Sequence, residues 1–101
     1  MIRHIVMFQF KEEAEGRTKA ENVAITKNML DALPEKIPQI LSSETHINDK
    51  CANDTNYDLL LISDFASFED LNTYIVHPDH KAVGAFMRPV RLSRSCIDYE
   101  I

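Results

Sequence analysis

The stretch Tyr74-Ile75-Val76-His77-Pro78-Asp79-His80 holds a tyrosine and two of the four histidines of the chain within seven residues. An imidazole titrates near neutral pH and can take or give a proton, and a phenol can donate a hydrogen bond to an oxygen that gains charge. Pro78 lacks a backbone donor and disfavours the α conformation at His77, so a helix through this stretch must break there. In an unbroken helix Tyr74 and His80, six residues apart, would point to different sides. A break lets His80 turn back towards the first helix. The same residues also read as a plain helix–proline–helix corner with solvated imidazoles. A metal site on His77 and His80 needs a continuous helix to bring i and i+3 together, and Pro78 spoils that spacing, with only Asp70 and Asp79 nearby to complete a set. Cys51 and Cys96 lie far apart without the spacing of a zinc site or a disulfide framework. No metal and no cofactor is therefore expected.

The elements that must position these residues follow from periodicity. Residues 2–10 alternate as a strand, with His4, Val6, Phe8 and Phe10 on one face and Arg3, Ile5, Met7 and Gln9 on the other. A polar connection follows over 12–16. Thr18, with Glu21 three residues on, has the pattern of a capping box. Ala20, Val23, Ala24, Leu30 and Leu33 then form an apolar helical stripe, with Glu21, Asn22, Lys27 and Asn28 on the polar side. This helix is expected to end near Leu33, before a short piece between Pro34 and Pro38. Residues 40–47 read as a weaker, partly wet strand with Leu41 and Ile47 on one face. Residues 48–56 read as a loop, and 57–65 as the strongest strand, apolar on both faces at Leu59-Leu60-Leu61-Ile62. Ser67 can cap the next helix, with Phe68, Leu71 and Ile75 as its inward stripe and Tyr74 beside it. Val83, Phe86 and Met87 form a second short stripe that Pro89 stops. Residues 90–100 alternate as a closing strand, with Val90, Leu92, Cys96 and Asp98 on one side and Ile97 and Tyr99 on the other.

The order βαββαβ predicts one α+β domain over residues 1–101, a ferredoxin-like fold whose four-stranded antiparallel sheet carries helices on one face. Helices cover one face only, yet the first and third strands are apolar on both. A second copy is the simplest cover, which predicts a homodimer through the sheet face.

Lys and Arg number 11 and Asp and Glu 16, a formal net charge of −5. An acidic domain repels phosphate backbones, so nucleic acid is not the expected partner. Arg88, Arg91 and Arg94 are the one basic cluster; it spans a helix end and a predicted strand and reads as a solvated rim rather than an anion site. No apolar run approaches the length of a membrane span, and no signal-peptide pattern precedes the first strand. The expectation is a soluble protein of a reducing compartment, cytoplasmic, without membrane contact.

Ile2-Arg3-His4-Ile5-Val6-Met7-Phe8, Lys36-Ile37-Pro38, the 74–80 stretch and Ile97-Asp98-Tyr99 together resemble the stress-responsive dimeric α/β barrel (Dabb) family over nearly the whole chain. The Tyr-x-x-His-Pro-x-His pattern is the most specific part. The resemblance implies a ferredoxin-like subunit and a dimer whose sheets close into a barrel. The family includes plant stress proteins, bacterial proteins of unknown role and a plant polyketide cyclase, olivetolic acid cyclase. In that cyclase a tyrosine and the second histidine of the matching stretch form the catalytic pair, in a cavity between sheet and helices. The matching positions are Tyr74 and His80; its first-strand histidine matches His4 and its closing-strand aspartate Asp98. A long apolar tunnel for an alkyl tail is not implied by the polar 40–47 segment.

Two functional readings follow. One is a homodimeric small-molecule-binding or stress-related protein with its ligand between sheet and helices. The alternative is a cofactor-free enzyme of aldol or enolisation chemistry, with His80 as general base and Tyr74 as oxyanion donor. His4, His77 and Asp98 are the candidate substrate-binding residues in either case.

Overall fold

The computed structural model describes residues 1–101. Its elements are β1 (Ile2–Phe10), β2 (Glu13–Ala14), β3 (Arg17–Thr18), α1 (Lys19–Asp31), α2 (Leu33–Lys36), β4 (Ser42–Ile47), β5 (Leu59–Phe65), α3 (Phe68–Val76), α4 (Pro78–Met87) and β6 (Arg91–Glu100). Four strands form one antiparallel sheet in the order β4-β5-β1-β6. The architecture is the expected ferredoxin-like α+β fold, with the helices on one face.

Alternation along β1 sets the two layers. Ile2, His4, Val6, Phe8 and Phe10 are buried beneath the helices, joined by Leu59, Leu61 and Phe65 of β5 and by Val23, Leu30, Leu71, Val83 and Met87. Residues directly opposite in an antiparallel pair share a face. On the uncovered face this aligns Ile62, Ile5 and Ile97 in one row and Leu60 and Met7 in the next. Met7 and Ile97 are exposed there.

The helix starts follow the expected chemistry. The Thr18 hydroxyl accepts from the Glu21 amide at 3.2 Å, and the Glu21 carboxylate accepts from the Thr18 amide at 3.0 Å. Ser67 caps α3 by accepting from the Asp70 amide at 3.1 Å. His77 ends α3 and begins α4 with ψ of 136°, the extended conformation that Pro78 imposes on its predecessor.

Several local expectations are corrected. The 12–16 connection is a tight hairpin: β2 and β3 are joined by Glu15 and Gly16, both with positive φ, as a two-residue turn of the right twist demands. Asn22, assigned to the polar side, is fully buried, while Ala20 and Ala24 are exposed. Its amide donates to the Ala14 carbonyl at 3.2 Å and its Oδ1 accepts from Arg17 Nε at 2.6 Å, so it pins the hairpin to α1. The first helix ends at Asp31, and Leu33–Lys36 form a separate turn with Pro34 inside it. Phe68 and Ile75 are exposed; the inward stripe of α3 is Leu71 and Tyr74. In β6 a bulge opposite Gln9 and Phe10 breaks the alternation, so Arg91, and not Leu92, aligns with Phe10.

Candidate functional site

The cavity between sheet and helices is small, about 80 Å³, and His4, Tyr74 and His80 all line it. That is room for about half a dozen water-sized groups, far less than a long alkyl tail needs. Depressions of about 440 and 660 Å³ flank the 48–58 loop, but neither brings together the residues singled out above.

His4 is fixed from the sheet. It lies opposite Asp98 in register, and its Nδ1 is 2.5 Å from Asp98 Oδ1. A carboxylate accepts only, so Nδ1 carries the proton and Nε2 is left for the cavity. Phe65 and Tyr74 meet the His4 ring edge-on, with centroids 6.4 and 6.1 Å away.

Tyr74 is 1% exposed, although it stands on a surface helix. No hydrogen bond of the fold involves its hydroxyl, yet no fully buried polar side-chain atom is left without a partner. The phenolic oxygen therefore meets the cavity rather than protein. Burial pushes its pKa up to about 12, which keeps it a neutral donor.

The break at Pro78 brings His80 back over Tyr74, with ring centroids 4.4 Å apart. Its Nδ1 is 3.0 Å from the Ile75 carbonyl oxygen. A carbonyl only accepts, so Nδ1–H donates and the Nε2 lone pair is free. Burial lowers the His80 pKa, outweighing the Ile75 carbonyl, and the positive field of Arg94 adds to the effect. The neutral imidazole is favoured, the form that can act as a base.

The remaining sequence candidates divide. Asp98 stands behind His4 and orients it. His77 does not line the cavity: its Nδ1 accepts from the Asp79 amide at 3.1 Å and caps α4. His77 and His80 each keep Nε2, but no third ligand atom converges on them. A different donor set, His4, Cys96 and Asp98, has its ligand atoms within 4.8 Å of one another, but Asp98 already occupies the His4 nitrogen.

Three lining residues escaped the sequence reading. Arg91 and Arg94, expected in a solvated rim, both reach the cavity. Gly84 lines it from α4, where an added Cβ would meet nothing within 4 Å. A glycine inside an amphipathic helix was a visible signal; the two arginines were visible as a basic cluster, but regular alternation gave no sign that both face the cavity.

The model of the stress-responsive A/B barrel domain family, Dabb, matches residues 2–101. The chain belongs to that family. A stress-response A/B barrel domain-containing protein of Arabidopsis thaliana is 35% identical over 83 residues, covering 82% of this chain. The match spans only 30% of that plant protein. Among solved structures, a dimeric ferredoxin-like protein of unknown function from Bacteroides fragilis superposes with a TM-score of 0.82 at 29% identity, covering 99% of this chain and 95% of that one. A dimeric ferredoxin-like protein of unknown function from Thermobifida fusca also reaches a TM-score of 0.82, at 26% identity, covering 99% and 90%. This Dabb chain contains no helix long and apolar enough to cross a membrane.

Proposed function

We propose that this Dabb domain is a homodimeric small-molecule-binding protein whose cavity takes a short carbonyl compound and abstracts a proton next to its carbonyl group. The observation that carries the reading is the Tyr74–His80 pair: an unpartnered phenol and an imidazole with its Nδ1 tied down, their rings in tilted contact at 4.4 Å beside one cavity. His80 Nε2 takes the proton, the C–H electrons form the new C=C bond, and the carbonyl becomes an enolate oxygen that accepts from the Tyr74 hydroxyl. Return of a proton from the imidazolium regenerates the carbonyl. His4, held by Asp98, offers Nε2 as a further polar contact. The 80 Å³ volume favours a compact ligand over a polyketide tail.

The homodimer rests on the apolar rows Ile62–Ile5–Ile97 and Leu60–Met7 across the uncovered face, and on the dimers described for the Bacteroides and Thermobifida relatives. Such rows left wet would form the kind of patch that soluble monomers avoid.

The test is deuterium exchange into acetone and small oxo compounds in D2O, followed by proton NMR beside saturation-transfer binding measurements. Exchange faster than buffer alone, lost in His80→Ala, is expected. Binding without exchange would reduce the reading to a binding module. Neither binding nor exchange across the panel would overturn it.

A further inference from the structure

The bulge in β6 has a chemical consequence. In a regular strand residues i and i+3 point to opposite faces. Arg91 and Arg94 do not: the bulge aligns Arg91 with Phe10 and Arg94 with Phe8, and both phenylalanines face the helices. Two guanidinium groups thus converge on one cavity that a regular strand would have given only one. Bulges of this kind re-aim side chains next to active sites.

Neither arginine is neutralised. The chain carries 16 acidic residues, yet none of its ion pairs involves Arg91 or Arg94. The nearest carboxylate on the same strand, Asp98, is taken by His4. Arg3, on the uncovered face, shows the contrast: it holds Asp64 at 2.9 and 3.0 Å. Two unpaired planar cations beside a neutral phenol and a neutral imidazole form a recognisable set. The cations suit a carboxylate, which a guanidinium fork binds through paired hydrogen bonds.

We propose that the ligand of this cavity is a short oxo acid, its carboxylate held by Arg91 and Arg94 and its carbonyl oxygen directed to Tyr74. The inference rests on the proton-abstraction reading for the carbonyl end and adds the chemical class of the other end. The arginines also serve the chemistry. Arg94 lies close enough to act electrostatically on both Tyr74 and His80, and a positive field favours the enolate.

The experiment compares pyruvate with pyruvamide, its neutral isostere, on the full chain. Saturation-transfer NMR reads binding, and deuterium incorporation into the methyl group reads proton abstraction. Pyruvate should bind at least about tenfold more tightly than pyruvamide, the gain expected of a charge-assisted contact. Arg94→Gln and Arg91→Gln should each remove most of that preference, bringing the affinity for pyruvate down towards that for pyruvamide, at an unchanged melting temperature. Arg94→Lys should keep part of it. Equal binding of the two probes overturns the inference, as does a preference that survives both glutamine variants. Exchange into pyruvamide without any preference for the acid would leave proton abstraction standing and remove the oxo-acid assignment. Arginine-dependent binding of pyruvate without exchange would do the reverse.

Discussion

Tyr74→Phe separates chemistry from packing better than any other change in this molecule. The side chain is 1% exposed and packs against Phe65 at a centroid distance of 5.0 Å, against His4 at 6.1 Å and against His80 at 4.4 Å. Phenylalanine keeps all of that ring contact. The hydroxyl forms no hydrogen bond within the protein, so its removal breaks none, and a buried hydroxyl exchanged for C–H carries no desolvation cost. The expected change in unfolding free energy is within about 0.5 kcal/mol, with a small gain allowed. The kinetic expectation is opposite in size. A donor aimed at a developing oxyanion is worth roughly 2.7–4 kcal/mol, or about a hundred- to a thousandfold in rate. Chemical denaturation and deuterium exchange, measured on the same preparation, therefore should diverge: same midpoint, exchange nearly abolished. A variant destabilised by about 2 kcal/mol would mean that the hydroxyl holds the fold together. A variant that exchanges as fast as wild type would remove Tyr74 from the chemistry.

Gly84→Ala should raise stability by about 0.5–1 kcal/mol, because alanine is the better helix former and its Cβ meets no atom, yet it should weaken ligand binding by intruding on the 80 Å³ cavity; thermal melts and saturation-transfer NMR check both halves, and unchanged binding would place the ligand elsewhere. Ile5→Lys puts a charge in the middle of the Ile62–Ile5–Ile97 row and should weaken a sheet-to-sheet dimer by about 3–5 kcal/mol, more than a hundredfold in dissociation constant, as read by sedimentation velocity; a variant still dimeric at low concentration would show that this face is not the interface. Asn22→Ala should cost about 1–3 kcal/mol in unfolding and release the 13–18 hairpin, visible as faster amide exchange there, since it strips two hydrogen bonds from a fully buried position. The His80 pKa lies below its ordinary 6.5, so the folded state binds fewer protons than the unfolded chain between the two values. Its contribution to stability is complete above about pH 6.5 and is lost as pH falls towards the folded value. The exchange rate should follow the same limb, flat above about pH 6.5 and falling as pH drops towards the lowered folded value; a rate that rises on acidification would exclude neutral His80 as the base.

Sequence alone determined what depends on short range. Alternation in β1 sorted His4, Val6, Phe8 and Phe10 to one face, the capping box at Thr18 and the cap at Ser67 started two helices, and Pro78 broke the helix between Tyr74 and His80. The order of these elements, with two strands apolar on both faces, was enough for the ferredoxin-like sheet. Tertiary structure decided what depends on partners distant in the chain. Helical spacing placed Phe68, Ile75, Ala20 and Ala24 inside and Asn22 outside; packing reversed these, because the direction in which a helix meets the sheet is a property of both surfaces. Asn22 is buried because the hairpin supplies both its partners. The conjunction of His4, Tyr74 and His80 also needed three dimensions, since β1 and the α3–α4 corner meet only across the core. The bulge in β6 is the clearest case. Alternation over residues 90–100 predicts a regular strand, and only pairing with Gln9 and Phe10 inserts the extra residue that turns both Arg91 and Arg94 towards the cavity.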